Sequence, residues 1–302
     1  METTLTNPSK NAHAVNRVVF ILIHLVPLGA LWTHVTAFDW AVCVALYVAR
    51  MFFVTAGYHR YFSHRTFKTS RAFQAILAFC AQTSAQKGIL WWAANHRIHH
   101  KHSDTDSDPH SKLKHGFWES HIGWILTSEH EATRYDLVKD LTKFPELVWL
   151  NKHYLFPAIA LGAVVTFLGG FVNGGSFSTM LTHGWSTLFI GFFLSTIILY
   201  HATFAINSIM HWYGKPRYNT GDASKNSFIL AILSLGEGWH NNHHYYQSST
   251  RQGFFWWEID ITYYVLKVFS WFGLVWEIRE VPEHVQYDPE KLLQATPAGK
   301  AA

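Results

Sequence analysis

Cysteine is nearly absent from this 302-residue chain, with only Cys43 and Cys80. Two thiols permit neither a disulfide framework nor a Cys-x-x-Cys metal site. They are also too few for a thiolate-held iron–sulfur cluster. Both read as small buried apolar residues. Charge is scarce too, at 15% Asp, Glu, Lys and Arg; soluble domains carry about 25%. No basic cluster alternates with stacking aromatics outside the histidine-rich segments, so nucleic-acid binding is not expected. The first residues, Met1 to Ala14, lack the apolar core and small-residue cleavage site of a signal peptide. A polar, alanine-containing tail follows Tyr287, and residues 1–14 and 288–302 are expected to be disordered ends of one domain.

What the chain does have is apolar and aromatic bulk, with 49% hydrophobic residues, 14 Trp and 23 Phe. Four stretches approach the ~20 residues that a bilayer core requires. They run over 18–35, 38–58, 154–172 and 185–206. Short connections near Ala37–Asp39 and at Asn173-Gly174-Gly175-Ser176 join them as two helical hairpins. Residues 59–153 contain 13 Lys or Arg and the segment after Ile206 contains eight, whereas the two short connections contain none. By the positive-inside rule, both termini and the large middle loop face the cytoplasm. Arg50 inside the second stretch reads either as a functional intramembrane charge or, the preferred expectation, as a side chain that snorkels to the nearby boundary. His24, His34 and His201 are expected to bond neighbouring helices. Residues 72–92 are too amphipathic to span and are expected to lie in the interface or beneath the site. Phe254 to Trp276 reads as an aromatic belt at headgroup level.

Nine of the 21 histidines fall into four clusters: His59-Arg-Tyr-Phe-Ser-His64, His96-Arg-Ile-His99-His100, Asn207-Ser-Ile-Met-His211 and His240-Asn-Asn-His243-His244. Neutral imidazole is the commonest metal ligand. Nine are too many for one tetrahedral zinc and suit two ions side by side. On a helix, positions three and four apart share a face, so His96 converges with His99 and His100, and His240 with His243 and His244. The His-x4-His spacing does not share a straight α-helical face, so the second span is expected to end near Tyr61 and let His64 fold back. His211 adds a ligand, and Asn207, one turn earlier, faces the same way and can hold a metal through a water. With thiolates absent, imidazole admits Zn, Cu, Fe or Ni; two imidazole-bound ions at a membrane face suit O2-activating iron. The Glu and Glu-x-x-His signature of soluble di-iron bundles is missing. Asp104-Thr-Asp106-Ser-Asp108 imitates a calcium loop but has Pro109 for its Gly and His115 for its Glu. These carboxylates read either as partners of the outer ring N–H of metal-bound histidines or as a solvated turn.

From about Gly57 to Pro282 the chain resembles the membrane fatty acyl desaturases, in the branch of the Δ9 acyl-CoA (stearoyl-CoA) desaturases. The matching segments are Gly57-Tyr-His-Arg-Tyr-Phe-Ser-His-Arg65, His96-Arg-Ile-His-His-Lys101, Asp106-Ser-Asp-Pro-His110, His121-Ile-Gly-Trp124, Asn207-Ser-Ile-Met-His211 and Gly236-Glu-Gly-Trp-His-Asn-Asn-His-His244. The resemblance implies an all-α integral membrane protein, with four transmembrane helices under a cytoplasmic helical cap. It implies a di-iron centre held by the nine histidines, with a water linking Asn207 to one iron. It also implies a kinked acyl tunnel shaped by Gln86, Trp92 and Thr203. Two departures stand out. Ala94-Asn95 and Ser128-Glu129 occupy positions where animal acyl-CoA enzymes carry cationic contacts to CoA. A chain esterified to membrane lipid therefore competes with acyl-CoA as substrate. No His-Pro-Gly-Gly segment marks a fused cytochrome b5 domain, so electrons are expected from a separate carrier such as ferredoxin, rubredoxin or cytochrome b5 with its reductase. The expected reaction is O2-dependent introduction of a cis double bond at Δ9, in a bacterial inner membrane rather than endoplasmic reticulum. The competing readings are a di-iron alkyl-chain hydroxylase, a membrane metal transporter and a haem electron carrier.

Overall fold

The structure, a computed structural model, describes residues 10–111, 116–127, 130–288 and 290–293. The CoA-contact departure at 128–129 and most of the two expected tails lie outside the described residues. Helix α1, Lys10–Leu25, begins inside the stretch expected to be disordered and passes into a 3₁₀ segment, Val26–Trp32, at Pro27. Its apolar part, Arg17–Trp32, is shorter than a span, unlike the expected 18–35. Helix α2 runs over Ala37–Ser63. Its start is fixed by a capping box, in which Thr36 N–H donates to Asp39 at 2.7 Å. Asp39 is fully buried and also accepts from Ser186 at 2.6 Å and from Thr187, so one carboxylate pins two helices.

Helices α3, Arg71–Gln82, and α4, Ile89–His102, replace the single interfacial segment expected over 72–92. Leu77, Ala78, Ala81, Ile89 and Leu90 are fully buried in the main core against α2. Truncating such a leucine costs about 2–5 kcal/mol, so α4 is held firmly where its histidines are needed. Helices α5, Pro145–Lys152, and α6, Phe156–Val172, meet at a 70° bend. The expected span 154–172 is therefore the second arm of a broken pair. The turn at Gly174 and Gly175 has φ of +124° and +68°, which glycine adopts freely. Helix α7, Phe177–Ser208, is longer than the expected 185–206 and contains two π-helical segments.

Among the described residues two helices, α2 and α7, are thus long and apolar enough to cross a membrane, or three if the α5–α6 pair is one span. Short helices include α8, Phe228–Leu233; α9, His240–Tyr245; and α10, Ile261–Trp271. A two-stranded antiparallel sheet, β1 (Lys68–Thr69) with β2 (Val275–Trp276), was not expected in an all-α fold. Trp256, Trp271 and Phe272 are exposed, consistent with an aromatic surface belt. His24 reaches His201 across helices, Nε2 to Nε2 at 3.3 Å.

Arg50 overturns its expectation. Only 2% exposed, it does not snorkel. Its guanidinium donates to Thr196 Oγ1 at 2.7 Å, to Ser195 Oγ, and to the carbonyls of Leu46, Phe192 and Thr83. Neutral acceptors from α7 and the α3–α4 loop were within reach, so the charge is solvated internally.

Candidate metal centre

The lower half of α2 solves the His-x4-His problem differently from expectation. An α-helix turns about 100° per residue, which would leave positions five apart about 140° out of register. From Val54 to Ser63 the backbone is π-helical. This wider turn bonds i to i+5 and stacks those residues. His64 N–H donates to His59 O at 3.2 Å, and the two rings lie 4.8 Å apart. The helix does not end at Tyr61; it widens and runs to Ser63.

The nine histidines gather into two groups. His59, His64, His96, His100 and His243 form one, and His99, His211, His240 and His244 the other, each with its ligand atoms within 4.8 Å of one another. Adjacent residues on α4 and α9 diverge, so His99 and His100 serve different groups, as do His243 and His244. In the first group, Nε2 of His96 lies 2.9 Å from that of His64 and 3.0 Å from that of His100. His243 Nε2 lies 3.0–3.1 Å from those of His59, His64 and His100. In the second, His211 and His240 are 3.0 Å apart and His99 and His244 3.3 Å, again Nε2 to Nε2.

Four of the nine rings have a carboxylate on the outer nitrogen, which therefore holds the proton, while Nδ1 of His100, His240 and His243 is buried without a partner. His99 Nδ1 donates to Asp108 at 3.0 Å, His211 Nδ1 to Asp104 at 2.9 Å, and His244 Nδ1 to Asp222 at 2.7 Å. His59 Nδ1 donates to Glu237. Each bond fixes the tautomer with its lone pair on Nε2. Converging lone pairs repel unless a cation sits between them. Their spacing is that of nitrogens sharing one ion at the ~2.0–2.1 Å of a metal–imidazole bond. The residues therefore fit two bound metal ions.

Electrostatics agree. Burial, reinforced by neighbouring imidazoles, holds His64, His96, His100, His240 and His243 well below the ordinary histidine pKa. These rings are neutral, ligating forms at physiological pH. Burial pulls His244 to about 4 although Asp222 pushes upward. Burial would raise Glu237, but His59 and Arg60 outweigh it and hold its carboxyl at about 2. Arg60 lies 3.0 Å from Glu237 and 2.9 Å from Asp260. Gly236, with φ +134°, makes room for this ion cluster: a Cβ there would lie 2.4 Å from Asp260 and 2.7 Å from Arg60.

Of the Asp104–Asp108 run, Asp104 and Asp108 hold histidines while Asp106 stays exposed on the turn. Glu237 and Asp222 were missed. Glu237 could have been found from its place three residues before His240; Asp222 lies in a segment with no motif. His110 was also unassigned, and its ring packs 4.2 Å from that of His99.

Two cavities adjoin the groups. The larger, about 360 Å³, is lined mostly by apolar residues of α1, α4 and α7 together with Gln86, Lys87 and Asn95. The smaller, about 40 Å³, lies between His59, His99 and His240 and is closed by Met51, Val54 and Ile206. Trp92, His96, Thr203 and Asn207 line both and so form the constriction between them. Trp92 stacks on His96 at 4.8 Å, and Gln86 Nε2 donates to Thr203 Oγ1 at 3.0 Å. Gln86 and Trp92 from one stretch and Thr203 and Asn207 from α7 thus meet beside the histidines.

Comparison with known proteins identifies the family. The family model for fatty acid desaturase covers residues 38–267. The sn-1 stearoyl-lipid 9-desaturase of Anabaena variabilis is 36% identical over 285 residues, covering 92% of this chain and 97% of the relative. An acyl-CoA 5-desaturase of Anemone leveillei is 34% identical, covering 87% of this chain and 78% of the relative. The chloroplastic palmitoyl-monogalactosyldiacylglycerol delta-7 desaturase of Arabidopsis thaliana is also 34% identical, over 89% and 69%. With a family model spanning most of its length and a 36% identical relative aligned nearly end to end, this chain belongs to the fatty acid desaturase family.

Proposed function

We propose that this oxidoreductase of fatty acyl chains uses O2 and two iron ions, one in each histidine group, to form a cis double bond at Δ9 in a saturated chain carried by membrane lipid or CoA. The observation that carries this reading is two convergent sets of imidazole nitrogens beside the constriction of an apolar cavity. The iron pair would supply the O2-dependent chemistry that removes one hydrogen from each of two adjacent methylenes, with two electrons and two protons completing reduction of O2 to two waters.

The protein's own residues do the rest. The nine imidazoles would hold the two ions and are not general bases. Asp104, Asp108, Asp222 and Glu237 orient the rings and raise their basicity. Asn207, which lines both cavities, would hold a water against one of the ions. Trp92, Thr203 and Gln86 bend the acyl chain and fix which bond passes the metals, which is catalysis by positioning. The apolar lining excludes water from the reacting carbons.

In the membrane, we place α1, α2, the α5–α6 pair and α7 as four crossings, with the histidine groups and both termini on the cytoplasmic side of a bacterial inner membrane. The distribution of Lys and Arg supports this orientation. A separate electron carrier of the ferredoxin, rubredoxin or cytochrome b5 type then docks from the cytoplasm. The deciding experiment is expression in a host lacking unsaturated fatty acids, followed by double-bond mapping in its lipid and CoA pools. A Δ9 cis alkene, lighter than its precursor by two hydrogens, is expected. A product heavier by one oxygen would instead identify a hydroxylase.

A further inference from the structure

The larger cavity has one formally charged side chain in its lining, Lys87, and nothing above assigns it a role. Its loop is built with care. Ala85 and Lys87 both take positive φ, +57° and +70°, which non-glycine residues rarely adopt. Strain of this kind persists only where the surroundings enforce it. Here Tyr200 donates to Ala85 O at 3.0 Å, Gln86 reaches Thr203 at 3.0 Å, and Tyr58 donates to Lys87 O at 2.6 Å. The loop therefore projects the Lys87 side chain into the cavity while Gln86 faces the constriction. The ammonium rests 5.6 Å from the Tyr154 ring centroid and 6.0 Å from that of Trp91, a half-buried cation held between aromatic faces. Burial lowers its pKa, with Glu131 opposing. Among the described residues no carboxylate pairs with it at salt-bridge distance.

We infer that Lys87 binds the single phosphate of a glycerophospholipid head group whose acyl chain enters the larger cavity. This rests on the desaturase reading above and deepens it by choosing the carrier. One lysine matches one negative charge; a CoA nucleotide carries several, and the neighbouring Ala94 and Asn95 offer none to meet them. Asn95 is further committed to Trp91 O at 3.0 Å. The cavity wall on the α1 and α6 side is Val19, Ile23 and Leu155, so the head lies against lipid-compatible surface. A lysine with an apolar stem and a charged tip suits that boundary.

The test uses the full-length, iron-loaded enzyme with a ferredoxin and its reductase. Three stearoyl substrates are compared: phosphatidylglycerol, a diacylglycerol bearing a neutral sugar, and stearoyl-CoA. Lys87→Asn removes the charge while suiting the positive φ, and Lys87→Arg keeps the charge. For K87N the expected result is an approximately tenfold rise in KM for phosphatidylglycerol, with kcat little changed and the other two substrates within about twofold of wild type; K87R restores the phospholipid KM. An unchanged KM, or an equal loss on all three substrates, overturns the inference and leaves the desaturase reading intact. A wild-type enzyme that turns over none of the three overturns both.

Discussion

At the scale of single residues, the carboxylates behind the histidines give the clearest predictions. Asp222→Asn keeps a hydrogen-bonding group beside His244 but loses the charge. Metal affinity or activity is expected to fall about 10–100-fold; unchanged metal retention after dialysis would contradict the role given to Asp222. The imidazoles also make acid stability predictable. Burial holds the folded pKa values of His64, His96, His100, His240, His243 and His244 below the unfolded value of about 6.5. Between there and about 4, where His244 titrates, the unfolded chain binds more protons than the folded one. Stability is therefore full above the unfolded pKa and is lost as pH falls through this window. Chelator-stripped protein is expected to melt at lower temperature near pH 5 than near neutrality, and a flat profile would contradict the neutral, buried rings. The nine histidines were legible because their clusters are local in sequence. Their partners were only half legible: Asp104 and Asp108 sit within eight residues of His100, whereas Asp222 meets His244 from a separate loop.

Among the elements, the π-helical end of α2 matters most. Hydropathy cannot distinguish an α-helix from a π-helix, since both bury the same apolar residues. The one clue was the spacing of His59 and His64, which pointed to an early helix end because α-geometry was assumed. Deleting Ala56 should let this segment close as an α-helix and rotate His64 by about 100° relative to the helix above. The expected outcome is loss of metal from the group containing His64, with the group built on His99 retained. Metal analysis reads this directly; full occupancy in the deletion variant would show that the widened turn is dispensable. The 70° break before α6 was hidden for a similar reason, because composition alone does not reveal a bend at Tyr154 and Leu155.

For the molecule as a whole, runs of apolar residues located the long helices, and the distribution of positive charge suggested which ends share a side. Apart from the His24–His201 contact, internal polar bonding between helices escaped the sequence reading, because partners far apart in the chain carry no local signal. Arg50 joins α2, α7 and the loop before α4 through neutral oxygens. Arg50→Met leaves those groups unsatisfied and should destabilise the fold by roughly 3 kcal/mol or more, measured as a lower thermal midpoint in detergent; an unaltered midpoint would favour a solvent-facing guanidinium. All of this serves to bring four distant segments to one place. The most direct check is the metal content of the purified protein, set beside that of His243→Ala. Two iron ions per chain in the wild type, falling toward one in the variant, is the expected result. No bound iron, or a content that His243→Ala leaves unchanged, would contradict it.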